Sequence, residues 1–120
     1  MDKEQIKQEI YTEGPIVTSM LVFKDLIEYK SGVYHHVESS EDDGFDLIGS
    51  HAVLLVGWGQ VETEEAVVEY WEVKNSWGAD WGMDGYFRIK VGECYIADAG
   101  YDGAFSCKPV LAHKETIFYQ

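Results

Sequence analysis

The 120 residues predict a mainly β domain, with antiparallel strands in a barrel-like or sandwich-like arrangement behind one leading helix. Three observations predict it. Gly 12 against Pro 2, with 14% aromatics, describes a chain of tight turns and half-buried strands. Apolar stretches of strand length recur, some with period two, and each ends at a glycine or polar corner. Helical spacing is confined to the N-terminus and one short turn near residue 26. At this length the reading is a single domain, residues 1–120, able to bury an ordinary core.

Taken in order, Asp2 caps the leading helix, and Gln5 reaches back as in a capping box. Ile6 and Ile10 share one face of it, and Gly14-Pro15 stops it, because proline cannot continue the hydrogen-bond ladder. Residues 16–23 read as a buried strand. Residues 24–30 carry Leu26 and Ile27 on a helical turn that ends at Ser31-Gly32, and Val33-Tyr34 resumes as strand. Residues 37–49 are acidic and glycine-bearing (Glu38, Glu41, Asp42, Asp43, Asp46), which predicts a solvated surface loop. Residues 51–57 form a strong strand, 60–65 a polar turn and 66–74 the returning strand. A turn at 82–85 precedes a strand at 86–91. Residues 93–99 and 104–110 read as shorter extended pieces joined at 100–103.

Charge and composition exclude several classes. A net charge of -13 argues against nucleic acid or an anionic membrane as partner. No run approaches the ~18 apolar residues of a membrane span. Met1 is followed by charged and polar Asp2-Lys3-Glu4-Gln5, so no targeting signal is expected in this chain. Cys94 and Cys107 either close a small disulfide loop or stay as two thiols. His35-His36 resembles a zinc pair only superficially, with no third ligand at a suitable spacing. No metal and no cofactor is expected.

The chemistry gathers between His51 and Tyr86. His51 opens one strand and Asn75 ends the next, so an antiparallel hairpin brings an imidazole beside a side-chain amide. An imidazole held by an uncharged amide is two thirds of a cysteine-nucleophile triad. The full pattern is His51-Ala52-Val53-Leu54-Leu55-Val56-Gly57-Trp58-Gly59, then Tyr70-Trp71-Glu72-Val73-Lys74-Asn75-Ser76-Trp77-Gly78, then Trp81-Gly82-Met83-Asp84-Gly85-Tyr86-Phe87-Arg88-Ile89. It resembles the right-hand half of the papain-like cysteine peptidases. Glu13-Gly14-Pro15-Ile16, the run from Tyr29 to His36 and Glu93-Cys94-Tyr95-Ile96 extend the resemblance over roughly residues 4 to 110. Within the family, Tyr-Lys-x-Gly-x-Tyr-His-His and the long loop before His51 lean towards cathepsin C, then cathepsin B.

The resemblance implies an α+β family fold whose right-hand domain is an antiparallel, barrel-like sheet. It implies that His51 is the general base and acid, paired as imidazolium with a cysteine thiolate. Asn75 would orient the ring without adding charge, Trp77 would cover the His51–Asn75 bond, and Ser76 would support that corner. Substrate contacts are expected at Ala99, where the family places the floor of its main specificity pocket, and at Trp81 and Ser50. Cys94 matches a family cysteine whose partner lies before the histidine. No cysteine occupies 35–50, so that bridge is missing; pairing of Cys94 with Cys107 is one replacement and two free thiols the other.

The family nucleophile, in Cys-Gly-Ser-Cys-Trp, is absent from these residues. The expected partners are therefore a left-hand peptidase half carrying that cysteine and a peptide substrate, and this chain alone is expected to be inactive. The face that meets the left-hand half would otherwise expose an apolar patch of about several hundred Å2, large for a monomer. The rival reading is a non-catalytic scaffold or interaction module that keeps the fold. Lysosomal, vacuolar or secreted localisation follows from the resemblance.

Overall fold

The computed structural model describes residues 2–37 and 46–97. The leading helix α1 (Lys3–Glu13) starts where the sequence places it. Asp2 Oδ1 accepts the Gln5 N–H and Gln5 Oε1 accepts the Asp2 N–H, each at 2.8 Å. Two N-terminal donors are thereby satisfied at once. Ile6 and Ile10 face the core, each worth about 1.5–3 kcal/mol if fully removed from water. Across the sheet surface Lys3 and Lys7 reach Glu69 at 2.7 and 3.3 Å, fixing the helix's direction more than its stability.

Strands β1 (Ile16–Phe23), β2 (Val33–Tyr34), β3 (Leu47–Glu62), β4 (Val67–Lys74) and β5 (Tyr86–Lys90) form one sheet in the order β1-β3-β4-β5-β2, and a short helix α2 (Lys24–Ile27) follows β1. Alternation decides the faces: Ile16, Thr18, Met20 and Val22 of β1 are buried while the residues between them are partly exposed. All neighbouring pairs are antiparallel except β2 with β5, where Val33 lies opposite Arg88. The core joins Ile6 and Ile10 to Met20, Leu26, Leu55, Trp71, Val73, Phe87 and Ile89.

Among the described residues the expected barrel-like sheet is not closed. β1 and β2 are the two edges of the sheet, and β2, two residues long, pairs with β5 and not with β1. The fold is thus a mixed α+β one, dominated by antiparallel pairing. β3 is the element that sets the architecture. Residues 47–55 pair with β1 and residues 54–62 with β4, with an irregularity between Leu55 and Gly57 where the strand turns from one partner to the other.

Three expectations on element limits are corrected. Residues 47–49, expected in a loop, already pair with Phe23 and Val22, because the backbone ladder does not depend on their glycine-bearing composition. Residues 60–62, expected in a turn, continue β3. The turn is confined to Thr63–Ala66, where the Thr63 N–H and hydroxyl both donate to the Ala66 carbonyl at 2.8 Å. Residues 93–95, expected to be extended, form a 3-10 turn entered through Gly92 at φ 88°, with Cys94, Tyr95 and Ala97 at φ 54°, 58° and 57°. The piece expected at 104–110 lies outside the described residues. Among the described residues no helix is long and apolar enough to cross a membrane.

Candidate active site

His51 lies on the half of β3 that pairs with β1, opposite Met20. Asn75 follows the last residue of β4, one step beyond the Leu54–Lys74 pair. The hairpin register therefore carries the amide back alongside the imidazole. His51 Nε2 is 2.8 Å from Asn75 Oδ1. An amide oxygen only accepts, so this contact puts the proton on Nε2 and leaves Nδ1 unengaged by the asparagine.

Asn75 is held as firmly as it holds. Its Oδ1 accepts a second bond, from the Ser76 N–H at 2.8 Å, and its backbone N–H donates to Gly85 O at 3.0 Å. Ser76 thus supports the site through its backbone. Asn75 is 7% exposed, and its buried Nδ2 has no hydrogen-bond partner among the described residues.

Trp77 stacks on the imidazole, with ring centroids 5.3 Å apart and planes 21° apart. Trp81 meets Trp77 edge-on at 4.9 Å and also contacts Tyr29 and Phe87 at 5.6 and 5.5 Å. Its indole N–H donates to the Ile27 carbonyl at 3.0 Å, tying the lid to α2. The turn that delivers Trp81 needs glycine at 82. There φ is 61°, and a Cβ would come within 2.7 Å of the Tyr86 carbonyl oxygen. His51, Asn75, Ser76, Trp77 and Trp81 are accordingly one contiguous group.

The other candidates lie apart from it or outside the described residues. Ser50 precedes His51 on β3, so strand alternation directs the two side chains to opposite faces. Ala99 and Cys107 lie outside the described residues. Cys94 is buried, with no disulfide partner among the described residues. Burial, followed by the neighbouring Glu93 carboxylate, pushes its thiol up to about 12. A thiol held protonated is a poor nucleophile. Of the His35-His36 pair, His35 is exposed, whereas His36 is enclosed between Asp25 and Asp46. Sequence reasoning missed that enclosure, and the signal available was only a histidine at the mouth of an acidic loop.

The site can do specific chemistry. A ring proton fixed on Nε2 by a neutral oxygen leaves Nδ1 to take and return a proton, under an indole that lowers the local dielectric. A nucleophile would complete it.

The family model for papain family cysteine protease matches residues 1–103. Cathepsin B-like CP3 of Giardia intestinalis is 41% identical over 107 residues, covering 88% of this chain and 33% of that protein. Cathepsin B-like protease 1 of Arabidopsis thaliana is 39% identical over 112 residues, 92% of this chain and 27% of that one. Among solved structures, procathepsin B S9 from Trypanosoma congolense superposes with a TM-score of 0.65 at 45% identity, over 77% of this chain and 29% of that one. The SERA5 proenzyme of Plasmodium falciparum does so with 0.55 at 27%, over 72% and 22%. The chain thus spans about a third or less of the length of these relatives. The cathepsin B-like relatives among them correct the lean towards cathepsin C. The lean rests on the run from Tyr29 to His36 and on the length of the loop before His51; loop length is a weak guide because loops tolerate insertion.

Proposed function

This chain belongs to the papain family of cysteine proteases, with cathepsin B-like relatives, and from that premise we propose that it supplies the histidine and asparagine of a peptidase active site. The observation that carries the reading is the 2.8 Å bond from His51 Nε2 to Asn75 Oδ1 beneath Trp77. The 120 residues form one domain, the C-terminal half of the enzyme. The nucleophilic cysteine comes from beyond them, since no Cys-Gly-Ser-Cys-Trp run lies within them.

In the complete site His51 Nδ1 faces the cysteine. The imidazolium–thiolate pair supplies a nucleophile that attacks the peptide carbonyl carbon. As the tetrahedral intermediate collapses, the C–N bond breaks and His51 gives its Nδ1 proton to the departing amine, leaving a thioester. His51 then takes a proton from water, whose oxygen attacks the thioester. The acid is released and the imidazolium–thiolate pair returns. Asn75 keeps the ring in one tautomer throughout. A carboxylate in its place would stabilise the imidazolium and make it a weaker acid towards the amine. Trp77 excludes water from the His51–Asn75 bond, and Trp81 and Ala99 contribute to the substrate side. Peptides are the substrate class, and a lysosomal, vacuolar or secreted location suits the relatives.

The test is reconstitution. The chain is combined with a left-hand papain-type half carrying the cysteine and assayed on a Z-Phe-Arg or dipeptidyl fluorogenic substrate. Thiol-dependent turnover that disappears in His51→Ala is expected. A folded one-to-one complex with no turnover would reject the reading and leave a non-catalytic module.

A further inference from the structure

A second histidine is held quite differently, outside the site just described. His36 follows β2, and its side chain is 10% exposed. Its ring stacks on Phe23, with centroids 3.8 Å apart and planes 16° apart. Nδ1 lies 3.1 Å from Asp25 Oδ2 and 3.2 Å from Asp25 Oδ1. Nε2 lies 3.1 Å from Asp46 Oδ2. Asp25 belongs to α2, whereas Asp46 immediately precedes β3, so one imidazole spans two elements. The Lys24 N–H donates to the Asp46 carbonyl at 2.8 Å and draws the same two elements together through the backbone.

The Asp25 carboxylate is fixed on further sides, accepting from the Tyr34 hydroxyl at 2.6 Å and the Val37 N–H at 3.0 Å. Burial alone would push this carboxyl up. The bonds from Tyr34, Val37 and His36 outweigh it and hold the carboxyl below its ordinary range. It is therefore an anion when it faces the ring.

A neutral imidazole has one N–H and one lone pair. Against two carboxylates it can satisfy one and must present its lone pair to the other. Both contacts are attractive only when both nitrogens carry protons. We propose that His36 is a proton-dependent pin, which as imidazolium bridges Asp25 to Asp46 and locks the entry of β3 against α2. That entry lies five residues before His51.

The groups around the pin agree with this assignment. Asp25 faces it from α2 and Asp46 from the turn before β3. From the 3-10 turn, Glu93 Oε2 takes the His36 backbone N–H at 3.3 Å. Behind Asp25 lie the Tyr34 hydroxyl and the Cys94 thiol. Burial raises both well above their ordinary values, so neither adds charge. Lys24 and His35, the cationic or titratable neighbours in sequence, are exposed. Among the described residues the charges that meet the ring are negative, and the ring proton turns repulsion into attraction. The pin is closed in mildly acidic solution, where imidazolium and carboxylates coexist. It opens when the ring gives up one of its two protons. The inference stands independently of the peptidase reading.

The test reads the ring itself. The 15N and 1H resonances of the His36 ring in the intact protein, assigned by their loss in His36→Gln, are followed from about pH 5 to about pH 8.5. Two protonated nitrogens are expected at the acid end and one at the alkaline end. Over the same span the Tm should fall ~5 °C further in the wild type than in His36→Gln. Asp46→Asn, whose amide can donate to a bare Nε2, should flatten the same pH dependence. A single protonated nitrogen at the acid end overturns the proposal. So do Tm curves that run parallel in the wild type and both variants.

Discussion

Two half-buried histidines sit on this fold, each stacked on an aromatic ring, and they are held by opposite means. His51 is anchored at one nitrogen by a neutral amide oxygen under Trp77. His36 is anchored at both nitrogens by carboxylates over Phe23. The amide fixes direction and leaves the second nitrogen and its proton in play. The carboxylates fix the proton as well, because each contact demands a donor. One arrangement suits a group that must gain and lose a proton in every turnover. The other suits a group whose protonation state decides whether two elements stay joined.

That contrast can be broken most severely at His51. His51→Ala in the reconstituted peptidase should lower kcat/KM by ~10^3-fold to 10^4-fold, measured on a fluorogenic peptide, with the fold unchanged by circular dichroism. Asn75→Ala should cost less, ~30-fold. That is the kinetic equivalent of about 2 kcal/mol for one hydrogen bond to an imidazolium, and it should fall on kcat more than on KM. Trp77→Leu keeps the bond and removes its cover, so a loss of about fivefold is expected, on the scale of one aromatic stacking contact. On the other side, His36→Gln should leave peptide turnover at mildly acidic pH within about threefold of wild type while removing the extra pH dependence of Tm. The smallest effect belongs to Asp25→Asn. The Asp25 carboxyl is depressed in the folded protein, so its contribution is present above the ordinary carboxylate range and is lost as pH falls through the lowered value. The variant should therefore show a flatter acid limb in Tm against pH, and an unchanged limb would contradict the Asp25 contacts.

What could be read beforehand divides along the same line. His51 and Asn75 were legible because a hairpin register relates the start of one strand to the end of the next, and both lie within one short stretch of sequence. The capping box at Asp2 and Gln5 was legible for the same local reason. The partner exchange along β3 was not, since nothing in residues 47–62 marks where β1 stops and β4 begins. Gln60, Val61 and Glu62 read as a turn by polarity, although an exposed strand end tolerates the same residues. Cys94 and Tyr95 gave no warning of left-handed backbone, because residues without the glycine signal take it only when tertiary contacts impose it. His36 lies 11 residues from Asp25 and 10 from Asp46 along the chain, so its bridge exists only once α2 and β3 have come together.

The partner exchange along β3 has a kinetic consequence. Residues 54–62 can zip to β4 through a hairpin that closes at Thr63–Ala66, a local and fast event. Residues 47–53, which include the imidazole, acquire their ladder only when β1 arrives from far earlier in the chain. The amide end of the pair is thus set early in folding and the imidazole end late. Substitutions in β1 should therefore slow maturation of the pair without altering the hairpin that presents Asn75.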